Sequence, residues 1–226
     1  MANVTLCLLA SMLLFIMTPI LSEWSRGYLD YRMVSDIRIA TSYNYTEDIE
    51  DVPKLDYTEV YNYINKSEFG VENYCELELY FINKEDFYKR EKNKYPILAV
   101  GLSDYNKLRT MAGYDRIELK YNEFAAQWTG YPTDDFIEKY ISENSTIKVK
   151  DRVLTTDTSK YYNESIGEGP YNYRTDYLII LPDEACEELT TAERQFYANT
   201  VNDMDYEFSS KLLDFVDQWL IKNYAH

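Results

Sequence analysis

Hydrophobic and polar residues alternate most regularly between Cys75 and Phe81. The apolar positions are Cys75, Leu77, Leu79 and Phe81, and the positions between them are Glu76, Glu78 and Tyr80. Side chains two residues apart lie on the same face of a strand. The segment therefore predicts a β-strand with one buried face and one face in contact with water.

Other segments carry related signals for strands. Two short apolar runs, 95–102 and 177–181, predict strands that are buried on both faces. Weaker alternation predicts further strands at 33–39, 116–124 and 147–149.

Helical signals are fewer and concentrate towards the C-terminal end. We expect a short helix at 56–64 and a second helix capped by Thr133, with Phe136, Ile137, Tyr140 and Ile141 on one face. The sequence Thr190-Thr191-Ala192-Glu193 fits a capping box and predicts a third helix. An amphipathic helix is predicted after it from the spacing of Phe208, Leu212, Phe215, Val216 and Trp219.

These elements predict an α+β fold, in which a mainly antiparallel β-sheet is followed by C-terminal helices. Helices and strands do not alternate regularly, which argues against a doubly wound parallel sheet. Closure of the strands into a lipocalin-like barrel would remove the sheet edges that such strands otherwise expose.

The N-terminal segment indicates the compartment. Residues 1–22 contain no charged side chain, and an apolar run over 6–17 is followed by Thr18, Pro19 and the small residue Ser22. This pattern predicts a secretory signal peptide at 1–22 and a single mature domain at 23–226. The alternative is a signal anchor, because about 20 apolar residues can span a bilayer. We expect the mature protein to be secreted and to have no membrane partner.

Cysteines and glycosylation sequons fit secretion. Removal of the signal peptide removes Cys7 and leaves Cys75 and Cys186, which predicts one disulfide between them. The alternatives are two free thiols or a cysteine that links two chains. Four Asn-x-Ser/Thr sequons in the mature chain predict N-glycosylation at Asn44, Asn65, Asn144 and Asn163.

Charge and composition exclude several classes of function. The chain has 23 Lys and Arg against 39 Asp and Glu, a formal net charge of −16, which argues against nucleic acid and anionic membranes as partners. The one histidine is the terminal His226, so a Ser-His-Asp triad or a histidine zinc site is not expected. We predict no enzymatic activity, no metal and no cofactor, although paired carboxylates leave glycoside hydrolysis open.

Tyrosine is the most unusual feature of the composition, with 24 residues in 226. Tyrosine offers a large contact area at a low cost in side-chain entropy, and binding loops use it for this reason. The alternative is that these rings cover strand faces. A role in recognition is predicted for tyrosines that lie beside Asn, Asp or Glu: Tyr43, Tyr45, Tyr61, Tyr63, Tyr161, Tyr162, Tyr171 and Tyr173.

An apolar leader, an acidic and tyrosine-rich body, four sequons and two mature cysteines together resemble the salivary proteins of blood-feeding ticks. Cys75 lies in Asn73-Tyr74-Cys75-Glu76-Leu77-Glu78-Leu79, and Cys186 follows Leu181-Pro182-Asp183-Glu184-Ala185. The character is similar to the T-cell-suppressing salivary glycoproteins and, more distantly, to the tick salivary lipocalins. The Gly-x-Trp pattern of lipocalins is absent, and Ser22-Glu23-Trp24 is the nearest approach.

The resemblance implies a secreted glycoprotein that binds a host protein and suppresses host immune responses. An acidic surface suits a basic cytokine, chemokine or receptor face as the partner. The alternative is a lipocalin-like carrier for a small cationic or lipophilic ligand, such as an amine held between aromatic rings and a carboxylate.

Overall fold

The structure is a computed structural model, and it describes residues 17–18, 33–42, 54–82, 98–128, 134–167, 177–187 and 189–224. The predicted signal peptide therefore lies outside the described residues, apart from helical Met17 and Thr18. No helix in the described ranges combines the length and the apolar character needed to cross a bilayer.

Nine strands and five α-helices are present in the described ranges. The strands are β1 (Ile37–Ser42), β2 (Asn73–Phe81), β3 (Leu98–Gly101), β4 (Ala125–Trp128), β5 (Thr146–Val149), β6 (Arg152–Thr155), β7 (Tyr161–Tyr162), β8 (Tyr177–Leu181) and β9 (Thr190–Asn199). The helices are α1 (Thr58–Asn65), α2 (Leu102–Met111), α3 (Asp134–Glu143), α4 (Asp183–Cys186) and α5 (Tyr206–Tyr224). A short 3-10 helix spans Thr158–Lys160.

Seven strands form one mixed sheet in the order β1-β9-β2-β3-β8-β4-β7. The pairs β3–β8 and β4–β7 are parallel, and the other four pairs are antiparallel. The predicted α+β class with a mainly antiparallel sheet is thus confirmed. Strands β5 and β6 form a separate hairpin. The pairings of the described strands leave β1 and β7 as the two edges of the sheet, so no closed barrel is found.

The sheet packs against helices on both faces, because its central strands are apolar on both sides. On one face, α2 covers a core cluster that contains Leu77, Leu79 and Val100. The opposite face carries two clusters. Helices α1 and α5 enclose one around Phe196, and α3, α4 and the β5–β6 hairpin enclose the other around Ile179.

Many of the predicted elements are confirmed. Strand β2 has its alternating burial, and β3 and β8 are the apolar runs buried on both faces. Helices α1, α3 and α5 lie where the sequence predicts helices, and β5 covers the alternation at 147–149. Thr133, the predicted cap of α3, lies outside the described residues.

The helix predicted from the capping box at Thr190 is wrong, because Thr190–Asn199 is strand β9. This strand pairs with β1 on one side and with β2 on the other. Glu193 does not cap a helix; its carboxylate pairs with Arg38 on β1 at 3.2 Å. Two ladders of backbone hydrogen bonds outweigh one local capping signal.

The strand predicted at 116–124 is also wrong, because this segment is an irregular connection to β4. The buried side chain of Asn106 accepts from the Ile117 N–H at 2.8 Å and donates to the Ile117 C=O at 3.0 Å. These two bonds satisfy the backbone of Ile117 without a partner strand. The first strand is shifted from 33–39 to Ile37–Ser42, since the Asp36 carboxylate accepts from the Thr200 N–H at 2.8 Å before the strand begins.

Candidate functional site

The polar face of β2 forms a row of tyrosine and carboxylate side chains. This outward row consists of Tyr74, Glu76, Glu78 and Tyr80, together with Tyr61 of α1, whose ring lies 4.8 Å from that of Tyr74. Tyr74 is 52% exposed, and its ring also stacks on buried Phe196 at 6.0 Å. The tyrosines of the row are therefore held in place by packing while part of their surface contacts solvent.

Two members of the row are fixed by polar contacts. The Tyr80 hydroxyl donates to Glu78 Oε2 at 3.0 Å, and Glu78 forms an ion pair with Arg194 of β9. The Glu78 N–H donates to Asp104 Oδ2 at 3.1 Å, because β3 ends at Gly101 and no longer pairs with β2 at this position. Asp104 is in turn paired with Lys107 at 2.7 Å.

Glu76 differs from Glu78 because its carboxylate has no hydrogen bond or ion pair in the described part of the chain. Partial burial and the nearby Asp56 carboxylate raise its pKa, Asp104 adds to the effect, and Lys107 and Arg194 oppose it. Burial, with smaller contributions from Cys186, Asp104 and Asp183, raises the pKa of Tyr80 to about 12. The row thus carries negative charge that its own cations do not balance, together with exposed aromatic surface.

A rigid aromatic and acidic surface of this kind is suited to a cationic partner. Tyrosine rings attract Lys and Arg side chains through their π faces, and an unpaired carboxylate can form a charge-assisted hydrogen bond with them. Nothing in the outward row resembles a nucleophile activated by a neighbouring base.

A second polar cluster surrounds Arg109 of α2, but it is closed. The guanidinium lies 5.1 to 5.8 Å from the ring centres of Tyr105, Tyr114 and Tyr162. Its Nη1 and Nη2 donate to Glu164 at 3.3 and 3.0 Å, and its Nε donates to the Asp115 C=O at 2.7 Å. These contacts pair the guanidinium within the protein. The cluster therefore holds two loops against α2 and does not present the Arg109 cation to a ligand.

The carboxyl ends of the parallel strands β3 and β8 are also occupied from within. Ligands often bind at this position of an α/β sheet. Here the Asp183 carboxylate accepts from the backbone N–H and the hydroxyl of Ser103, at the start of α2. A Cβ on Gly101 would come within 2.7 Å of Asp183 Oδ1, so a glycine permits this approach.

Three of the four predicted glycosylation sites lie at exposed positions. Asn65 ends α1, Asn144 follows α3, and Asn163 follows β7. Asn44 lies outside the described residues. Exposure is what the modification requires, and glycosylation at the four sites stays a prediction.

The expected Cys75–Cys186 disulfide is not formed in the structure, which has both residues as free, buried thiols. Cys75 packs with Leu77 and Leu79 on the face covered by α2. Cys186 belongs to a cluster on the opposite face. Burial, the first cause in both cases, raises the pKa of each thiol to about 12. Neither cysteine is therefore an activated nucleophile.

The structure describes four of the eight tyrosines predicted for recognition, and they lie in different environments. Tyr61 belongs to the outward row, whereas the ring of Tyr63 stacks on Phe215 at 4.2 Å beneath α5. Tyr161 and Tyr162 form β7, and Tyr43, Tyr45, Tyr171 and Tyr173 lie outside the described residues. Tyr74 and Tyr80, the other tyrosines of the outward row, were not among the residues predicted for recognition, although the solvent-facing side of the alternating strand was the signal that could have found them.

Within the described ranges, no three His, Cys, Asp or Glu side chains come together as metal ligands would. Comparison with known proteins adds no further constraint: no protein-family model matches the chain, and no curated protein matches it at a significant level.

Proposed function

We propose that this protein is a secreted glycoprotein that binds a basic host protein through the outward row of β2 and thereby suppresses host immune responses. The observation that carries the proposal is the row itself, in which the unpaired Glu76 lies between exposed Tyr74 and the Glu78–Tyr80 pair. The resemblance to tick salivary glycoproteins supplies the class of partner.

The charge of the whole chain supports the same partner. A formal net charge of −16 attracts a basic protein over a distance of about one Debye length and speeds encounter more than it strengthens the final complex. The packed tyrosines then supply contact area at little further cost in entropy. The described strands form an open sheet, so they favour a surface binder over the lipocalin-like carrier of a small ligand.

The test is a binding measurement on immobilised mature protein with a panel of basic cytokines and chemokines. For a ligand that binds the wild type, Glu76→Gln should lower the association rate about three- to tenfold at low salt and less at high salt. Tyr74→Ala should raise the dissociation rate, because it removes a packed contact surface.

The matched control is Glu118→Gln, which changes the net charge equally at an exposed position outside the outward row. This variant should bind as the wild type does. The proposal is wrong if no basic ligand in the panel binds, or if Glu76→Gln and Glu118→Gln weaken binding equally.

A further inference from the structure

The β5–β6 hairpin borders a surface cleft that shares no residue with the outward row. The cleft has a volume of about 420 Å³ and is lined by Tyr121, Asn122, Arg152, Val153, Leu154 and Glu184. Tyr121 is 80% exposed and Val153 is 58% exposed, so two large apolar groups contact solvent beside one another.

One edge of β6 is only partly used in this cleft. The Thr155 N–H donates to the Asn122 C=O at 2.9 Å, and the Phe124 N–H donates to the Thr155 C=O at 3.0 Å. This is a parallel bridge between Thr155 and Glu123. The chain at Tyr121 and Asn122 then turns away, so the ladder stops after one residue.

Val153 must present its backbone to the same side as Thr155, because residues two apart in a strand point their N–H and C=O groups the same way. Val153 pairs with Lys148 across the hairpin, and Thr155 pairs with Thr146. Both are therefore non-hydrogen-bonded pairs of that ladder. In the described part of the chain, the outward N–H and C=O of Val153 have no hydrogen-bond partner.

The cleft also presents two charges of opposite sign. The side chains of Arg152 and Glu184 are exposed, and neither side chain forms an ion pair or hydrogen bond with the described residues. An extended peptide in the cleft could pair its backbone with Val153 and place an apolar side chain against Tyr121. A cationic side chain would then face Glu184, and a carboxylate would face Arg152.

We propose that the outer edge of β6 accepts an extended segment of a partner protein as an added strand. The segment contains an apolar residue flanked by a basic and an acidic residue. Strand addition supplies affinity through main-chain hydrogen bonds, and neighbouring side chains supply specificity. The proposal is independent of the function proposed for the outward row.

The test selects a phage-displayed library of random decapeptides on the intact mature protein. Val153→Pro removes the outward N–H of β6, and proline is tolerated at an edge where that N–H faces solvent. The matched control is Lys148→Pro, which makes the equivalent change on the far edge of the hairpin. Selected peptides should bind Val153→Pro at least tenfold more weakly and Lys148→Pro within about twofold of the wild type.

Two further measurements keep the test independent of any folding defect in the proline variants. Glu184→Lys, on the exposed surface of α4, should weaken the selected peptides, and exchanging Lys for Glu in the peptide should restore binding. Bound peptide should slow amide hydrogen exchange of Val153. The proposal is overturned if the selection yields no binder, or if binders respond equally to Val153→Pro and Lys148→Pro.

Discussion

Arg109 is the most enclosed cation in the described part of the chain, with a side chain that is 4% exposed. Burial alone would lower its pKa, but hydrogen bonds to Glu164 and Tyr105 outweigh burial and raise the pKa instead. Burial opposes ionisation of Glu164 in the same way, and the bonds from Arg109 lower its pKa. Both groups are therefore charged at neutral pH, and each depends on the other.

Glu164→Gln should destabilise the protein at neutral pH by about 1 to 2 kcal/mol, discounted because Glu164 is 36% exposed. A lowered pKa in the folded state means that the ionised carboxylate adds stability above its unfolded pKa. This stability is lost as the pH falls through the folded value. Thermal melts of wild type and variant should thus differ at pH 7 and converge below the usual glutamate range.

Glu118→Gln again serves as the control, with the same change in charge and no bond to Arg109. The substitution at Glu164 leaves the Asn163 sequon intact, so the predicted glycosylation site is retained in the variant. A constant difference between wild type and Glu164→Gln from pH 3 to pH 7 would contradict the assigned role.

Lys150 is the one residue other than glycine with a positive φ in the described ranges, at 51°. It lies in the two-residue turn between Val149 and Arg152 of the β5–β6 hairpin. A left-handed backbone costs an ordinary residue about 1 kcal/mol, and glycine avoids this cost. Lys150→Gly should therefore raise the free energy of unfolding by about 0.5 kcal/mol, after the entropy that glycine adds to the unfolded chain.

The matched substitution Lys148→Gly removes the same side chain from an extended position of β5 and should lower the free energy of unfolding by about 0.5 to 1 kcal/mol. Urea unfolding of both variants measures the two effects. If both substitutions destabilise equally, the turn is not strained as described.

At the level of elements, the sequence predicted a strand best where the alternation of apolar and polar residues alone determined which face is buried. Strand β2 has a clean alternation because one face packs under α2 and the other contacts solvent. The sequence therefore predicted the outward row as the solvent-exposed face of a strand. The contact between Tyr74 of the row and Tyr61 could not be predicted, because it joins α1 to β2 through the tertiary fold.

Strand β9 shows why the rest of the sheet was harder to predict. Phe196 packs on one face and Tyr197 on the other, and Gln195 is buried on the face of Tyr197, whose hydroxyl donates to its Oε1. Burial on both faces removes the alternation that identifies a half-exposed strand. The capping box at Thr190 was then the strongest local signal, and it pointed to the wrong element.

The connection at 116–124 failed for a different reason. Its alternating apolar residues are real, but the side chain of Asn106, eleven residues earlier in the chain, bonds both backbone groups of Ile117. No local sequence pattern predicts such a hydrogen bond between a side chain and the backbone. The cleft beside β6 depends on the same connection, because the turn at Tyr121 leaves Val153 open. The cleft could therefore not be predicted from the sequence.

At the level of the whole molecule, the sheet separates Cys75 from Cys186. Leu98 and Val100 belong to the cluster on the face of Cys75, and Ala99 belongs to the cluster of Cys186 on the opposite face. A disulfide would require one side chain to cross the sheet, whereas bonded Cβ atoms lie about 3.5 to 4.5 Å apart. The prediction of a bond relied on counting cysteines, which carries no information about faces.

The structure therefore predicts that the thiols of Cys75 and Cys186 are protected in the native protein. A thiol reagent should react with neither cysteine until denaturant is added, and with both afterwards, because burial raises the pKa of each to about 12. The Cys75 thiol lies 3.7 Å from Met111 Sδ, a packing contact that alanine would lose.

Stability measurements on three variants distinguish thiols from a disulfide. If the thiols are free, Cys75→Ala and Cys186→Ala should each cost about 1 kcal/mol, and the double variant should cost the sum, because the sites lie on opposite faces. A disulfide closing a loop of about 110 residues would instead contribute about 4 to 5 kcal/mol. Either single substitution would then remove nearly all of that stability, and the second would add little. Small, additive losses in the free energy of unfolding support the separated thiols. A large, non-additive loss would instead support the disulfide.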